Sequence, residues 1–217
     1  MTPRLIIFDL DGTLVDSAPD LALAIDAMLN ELQLPVAGQA RVRDWVGNGA
    51  TNLVERALAA AGAPPAMVTV ALASFLEHYY RLCTQTTALY PGVETTLKQL
   101  AQRHIKMAVV TNKPRRFVSP ILQHLQIASY FEQVLGGDDL PQKKPDPAPL
   151  RWCMQQLDAA PADTLMVGDS CNDIEAARRA GIGVVAVDYG YNHGRPITGE
   201  GADKVISHFD QLLDLVE

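Results

Sequence analysis

Asp9 and Asp11 close a short apolar run, "LIIFDLDGT" (5–13), and stand two residues apart. Side chains at i and i+2 of an extended segment point the same way. Both carboxylates therefore leave this strand together, and their repulsion calls for an opposing charge. Three other apolar runs lead into polar residues: Thr111 and Asn112 after "AVV", Lys144 in "QKKPDP", and Asp169 in "VGDSCND". A divalent cation between Asp9 and Asp169, helped by Lys144, would offset the repulsion, and oxygen ligands suit Mg2+. A carboxylate, a hard metal, a lysine and a hydroxyl-plus-amide loop make a cradle for a phosphoryl group. In such a cradle Asp9 can attack phosphorus. Asp11 can protonate the leaving oxygen and later take a proton from water. A carboxylate ~3.5 Å from one unit of phosphate charge is repelled by roughly 5 kcal/mol at an effective dielectric of about 20. Without the cation and Lys144 that repulsion would dominate the barrier.

These residues converge only if the elements carrying them lie side by side. Apolar or β-branched runs at 5–10, 106–112, 133–137, 164–170, 183–190 and 204–208 predict strands. Helical patterns at 93–103, 115–126, 147–157, 171–180 and near 208–216 alternate with them. That alternation predicts a three-layer α/β core, a Rossmann-like parallel sheet covered on both faces. In open parallel sheets, ligands bind at the carboxyl ends of the strands, where all the polar residues above fall. The gap between the first two strands far exceeds the roughly 30 residues of a βαβ unit. Its sequence, from about 16 to 87, reads as entirely helical in three stretches, with Leu21, Ile25, Met28, Leu29 and Leu32 at helical spacing. The expected division is a catalytic core of 1–15 plus 88–217 and an inserted helical cap of 16–87, leaving right after the two aspartates.

Composition narrows the function classes. The 217 residues are 48% hydrophobic and 20% charged, with net charge -7. An acidic chain is a poor match for nucleic acid or an anionic membrane. No apolar stretch approaches the length of a membrane span, and the opening apolar run is too short for a signal peptide. Cys83, Cys153 and Cys171 are an odd count without metal-like spacing. A cytoplasmic protein, monomer or homodimer, with reduced thiols is expected.

Taken together, the motifs resemble those of the haloacid dehalogenase superfamily of phosphatases, and the resemblance covers the whole chain. "DLDGT" (9–13), "VVTN" (109–112), Lys144 in "KKPDP" and "GDSCND" (168–173) match its four motifs in order and spacing. The resemblance implies Asp9 as nucleophile and Asp11 as acid/base. It implies Mg2+ on the side chains of Asp9 and Asp169 and the backbone carbonyl of Asp11, with Thr111, Asn112 and Lys144 holding phosphate. Asp173 would support the metal water or Lys144. The helical insertion looks like the superfamily's C1 cap. Within the superfamily, "DWVGNGATNLVERAL" (44–58), "VTNKP" (110–114), "KPDPAPL" (144–150) and "YGYNHG" (189–194) are similar to bacterial phosphoglycolate phosphatases. A small phosphorylated metabolite, 2-phosphoglycolate, is the implied substrate. The related N-acetylmuramic acid 6-phosphate phosphatases share "VTNKP" and "YGY" and give the alternative, alongside other sugar-phosphate phosphatases and mutases.

Ordinary roles compete at several positions. Asp146 reads as a helix cap before Pro147. Asp138 and Asp139 in "GGDDL" read as capping or solvated acids, Lys143 as surface, and Asp173 has an alternative role at a helix start. His193 is assigned no chemistry. The cap loop "VGNG", with Gly47, Asn48 and Gly49, reads either as a turn into a helix N-terminus or, the reading favoured here, as an anion cradle for a substrate carboxylate. Residues 5 to 97 contain no lysine, so the cap's cations are arginines, and Arg43 is the expected partner of that carboxylate. Asp11 argues against a dehalogenase, and a lysine-free cap argues against a Schiff-base phosphonatase. The helical insertion argues against a receiver domain, and the intact catalytic set against a binding-only scaffold.

Overall fold

The computed structural model describes residues 3–216. The chain runs β1 (Leu5–Phe8), β2 (Val15–Asp16), α1 (Ala18–Glu31), α2 (Gln39–Trp45), α3 (Ala50–Ala60) and α4 (Val68–Leu82). It continues through β3 (Ala88–Leu89), α5 (Val93–Gln102), β4 (Lys106–Val110), α6 (Arg115–His124), β5 (Gln133–Leu135) and α7 (Ala148–Gln156). It ends with β6 (Thr164–Gly168), α8 (Cys171–Ala180), β7 (Gly183–Val187), β8 (Lys204–Ile206) and α9 (Leu212–Leu215).

Six strands form one parallel sheet in the order β5-β4-β1-β6-β7-β8. Every side chain of β1 is fully buried. Leu5 and Ile7 pack on one side with Ala108, Val110 and Met166. Ile6 and Phe8 pack on the other with Val109 and Val167. A central strand buried on both faces has no use for polar alternation, which is why "LIIF" has none. Leu97 and Phe117, from α5 and α6, belong to one apolar layer, while Leu150 and Ile174, from α7 and α8, belong to the other. The chain steps outward from β1 to β4 and β5, then returns to β6 on the opposite side. That reversal opens a crevice above the carboxyl end of β1.

The helices between β2 and β3 pack mainly on one another. Leu21, Ile25, Met28 and Leu29 of α1 are buried against Leu53, Val54, Phe75 and Tyr79, while Leu32 is half-buried. This segment holds four helices rather than three stretches. The short α2 buries only Val42 and so carries almost no periodic signal. The segment is also not helical from its first residue, because Asp16 pairs with Ala88 and Val15 with Leu89 in a two-stranded antiparallel ribbon. The outgoing and returning crossings thus run side by side. Asp20, fully buried on α1, fastens the return by accepting the N–H and hydroxyl groups of Thr86 and Thr87. Among the described residues no helix is long and apolar enough to cross a membrane.

Candidate active site

Asp9 follows β1 directly and its N–H continues the ladder to Val167 O at 2.9 Å. Its Oδ1 accepts the Leu10 N–H at 2.7 Å and lies 3.0 Å from Lys144 Nζ. Lys144 is buried and also donates to Asp173 Oδ1 at 2.6 Å. Asp173 stands at the third position of α8, where its Oδ2 accepts both the N–H and the hydroxyl of the capping Ser170. One carboxylate therefore caps a helix and holds the lysine, so the two roles weighed from the sequence coexist. Asp169 ends the β6 run and is gripped by Thr13 Oγ1 at 2.9 Å and the Tyr191 N–H at 2.8 Å. The backbone closes tightly around it. Gly12 has φ +86°, and a Cβ there would lie 2.2 Å from Asp169 Oδ2.

Burial dominates the electrostatics of this floor. It pushes the Asp9 carboxyl up to about 6 against the pull of Lys144, with Asp173 and Asp11 adding to the rise. It pushes Asp169 well above the usual carboxylate range, reinforced by Asp9 and Asp173. Lys144 is held above its ordinary value: desolvation acts against its charge, and Asp173 and Asp9 more than compensate. Oxygens of Asp9, Asp169 and Asp173 lie within 4.8 Å of one another. Asp9 and Asp169 are two carboxylates of this cluster that could hold a hard divalent cation. Such an ion would restore the charge that burial opposes on each.

Asp11 points toward different partners. Its Oδ1 accepts Ser17 Oγ at 2.5 Å, and Lys113 Nζ approaches its two oxygens at 2.9 and 3.0 Å. Lys113 Nζ also donates to the Tyr79 hydroxyl at 2.6 Å. Lys113 is 5% exposed and lines the cavity, yet nothing in the sequence reading singled it out. Its one available signal was position, directly after Thr111 and Asn112 and before the proline that opens α6. Thr111 and Asn112 are buried at the end of β4, with Thr111 Oγ1 accepting the Lys113 N–H. Asn112 Nδ2 bridges Gly47 O and Lys144 O, and its buried Oδ1 has no partner among the described residues.

The loop at 46–49 forms the roof. Gly47 and Gly49 line the same cavity as Asp9, Asp11, Thr111, Asn112 and Lys113. Asn48 does not; its Oδ1 accepts Asn172 Nδ2 at 2.8 Å and its carbonyl accepts Lys143 Nζ at 3.1 Å. Asn48 and Lys143 thus dock the roof onto the core. His193 borders the loop, its ring 3.0 Å from where a Gly47 Cβ would stand. Arg43 is not brought to the cavity. It is salt-bridged to Asp16 at 3.1 Å, its guanidinium lies 4.7 Å from the Tyr191 ring centre, and it reaches the Tyr90 hydroxyl. The remaining walls are apolar: Leu21, Val46, Leu53, Phe75 and Phe117. The cavity volume is about 40 Å³, room for roughly two or three waters. Away from it, Asp138 accepts the first N–H of α6, Asp139 accepts the Gly136 N–H, and Asp146 accepts the Ala148 N–H. All three acids act as turn or helix caps.

Comparisons with known proteins agree with this architecture. Residues 6–187 match the family model described as haloacid dehalogenase-like hydrolase. The phosphoglycolate phosphatase of Pseudomonas putida is 50% identical over 215 residues, covering 97% of this chain and 79% of that protein. Phosphoglycolate phosphatase 1 of Pseudomonas aeruginosa is 49% identical over the same span. The crystal structure of a predicted phosphoglycolate phosphatase from Haemophilus somnus superposes with a TM-score of 0.96 at 39% identity, over 100% of this chain and 99% of that one. The family match across most of the chain, these long alignments and the site's layout lead to one assignment: this chain belongs to the haloacid dehalogenase-like hydrolase family.

Proposed function

We propose that this chain is a Mg2+-dependent phosphomonoesterase that hydrolyses 2-phosphoglycolate to glycolate and phosphate through an aspartyl-phosphate. The observation that carries the reading is Asp9 at the open end of the central strand, 3.0 Å from the buried Lys144. Thr111, Asn112 and Asp11 border the same cavity. The names of the Pseudomonas relatives support the substrate. The cavity as it stands holds only a few waters, so any phosphate ester requires the roof to lift, a two-carbon acid less than an amino-sugar phosphate. We read residues 1–15 and 88–217 as the catalytic core and 16–87 as the cap.

In the first step an Asp9 carboxylate oxygen forms a bond to phosphorus while the bond to the glycolate oxygen breaks. Asp11 delivers a proton to that oxygen as it leaves. In the second step water attacks phosphorus, Asp11 takes the water's proton, and the bond from phosphorus to Asp9 breaks. Lys144, Thr111 and Asn112 hold the phosphoryl oxygens, and Asp173 keeps Lys144 aimed at them. The carboxylates of Asp9 and Asp169, with the Asp11 backbone carbonyl, would hold Mg2+, which supplies positive charge against the phosphoryl oxygens. The apolar roof excludes bulk water from the reacting centre.

Phosphate release over a panel tests this: 2-phosphoglycolate, N-acetylmuramic acid 6-phosphate, hexose phosphates and an aryl phosphate, with and without Mg2+. The expected result is Mg2+-dependent turnover with kcat/KM highest for 2-phosphoglycolate. A preference for an amino-sugar or hexose phosphate would overturn the substrate, and absence of turnover on every ester would overturn the reaction.

A further inference from the structure

A carboxylate bound in this cavity must find a cation or amides, because an unpaired charge among apolar side chains is costly. Lys144, beneath the cavity, is committed to Asp9 and Asp173. Arg43 faces Asp16 instead. The cation that lines the cavity is Lys113, whose ammonium sits between Asp11 and Tyr79, in a cavity that Phe75 and Phe117 also line. Its side chain is 2% exposed. The Tyr79 hydroxyl and ring lie against it on the cap side, with Nζ 4.6 Å from the ring centre. Its partner Asp11 is the group that the reaction requires to face the leaving oxygen.

We propose that Lys113 reads the carboxylate of the substrate. This rests on the phosphatase reading above and extends it to the residue that sets substrate choice. In the arrangement described, Lys113 bonds Asp11. Bound carboxymethyl phosphate, which is 2-phosphoglycolate, offers Nζ a second carboxylate beside the first, and the ammonium transfers from Asp11 to it. Tyr79 keeps Nζ in place from the cap side during the exchange. A phosphate ester without the carboxylate gives Lys113 no reason to leave Asp11, so the ion pair competes with the ester for Asp11. Discrimination then comes from one ion-pair exchange, not from a cap arginine. A charge-assisted hydrogen bond of this kind contributes about 1.5–3 kcal/mol, which corresponds to roughly 10- to 150-fold.

The test compares kcat/KM for 2-phosphoglycolate and for ethyl phosphate, which has the same ester and a methyl group in place of the carboxylate. Lys113→Met should lower the ratio of the two by about a hundredfold, and Lys113→Arg should retain part of it. Tyr79→Phe removes only the hydroxyl against Nζ and should lower the ratio several-fold. It also carries the test if Lys113→Met fails to fold. A Lys113 that merely supports the fold would lower both substrates alike and leave the ratio unchanged, overturning the inference. A wild-type ratio near one would overturn the substrate reading and this inference with it. A high wild-type ratio that survives in the variants would overturn this inference alone.

Discussion

The floor and the roof of the cavity are built on opposite principles. The floor sets Asp9, Asp169, Asp173 and Lys144 in the interior, each of them at most 7% exposed. Burying charge is unfavourable, and the floor is tolerated because Lys144 has two carboxylate partners and Thr13, Ser170 and backbone N–H groups take other oxygens. The roof is apolar on its inner side and docked by neutral amides, Asn112 and Asn172, with Lys143 at the rim. The roof is docked by single hydrogen bonds, each worth about 1 kcal/mol. On the function proposed above, the floor would hold the reacting groups and the roof would admit or refuse ligands. Stability and selectivity therefore reside in different residues, and substitutions should separate them.

The largest effect is expected at the floor's centre. Asp9→Asn should lower turnover by at least about 10⁴-fold, as removal of a nucleophile generally does, with an unchanged circular dichroism spectrum. Activity near wild type would remove Asp9 as the nucleophile. Lys144→Met strands Asp9 and Asp173 without their cation, and thermal or urea unfolding should register a loss of about 3–5 kcal/mol. An unchanged melting temperature would mean that the floor's charges are not paired as described.

A smaller effect concerns acid. Asp9 titrates near 6 in the folded, metal-free chain against an ordinary value of 3.8. Between those values the folded protein keeps a proton that the unfolded chain has released. This group's contribution to the metal-free protein is therefore greatest in acid and is lost as pH rises toward 6. Mg2+ needs the ionised carboxylate. Asp169 is raised too, so the dissociation constant should rise at least about tenfold for each unit below pH 6, weakening the metal's stabilisation by at least about 1.4 kcal/mol per unit. Melting with and without Mg2+ at pH 5 and 7.5 reads this directly, and an equal shift at both would exclude Asp9 from the metal site. The smallest effect belongs to the roof. Asn172→Ala removes the donor to Asn48 and should raise KM about five-fold, roughly 1 kcal/mol of one hydrogen bond. Melting should change little, and a melting loss as large as that of Lys144→Met would abolish the contrast between floor and roof.

The floor was readable from the chain because its chemistry demands unusual residues in unusual places. Carboxylates that end apolar runs have no structural excuse, so Asp9, Asp11 and Asp169 stood out, and the six strands followed from the same runs. The roof was harder to read. Arg43 is near the "VGNG" loop in sequence, but Asp16, on the ribbon into the cap, draws its guanidinium away. Lys113 drew no assignment, because a lone lysine before a helix is ordinarily solvated. Its burial depends on Tyr79 arriving from α4, a contact between residues far apart in sequence that no local pattern encodes. The two-residue strands β2 and β3 carry no periodicity either, being too short to alternate.

That ribbon bears on how the chain finds its fold. Leu5 pairs with Lys106 in the central sheet, a separation of roughly a hundred residues, and closing so long a loop before any contact rewards it is slow. The helical segment shortens the search. Once its own local contacts bring Val15 beside Leu89, the free chain between β1 and β4 falls to about two dozen residues, and each halving of a loop recovers about 0.6 kcal/mol of closure entropy. Slower folding on disruption of α1 or α4, measured separately from unfolding, is the kinetic signature expected of an insertion that assembles ahead of the sheet it interrupts.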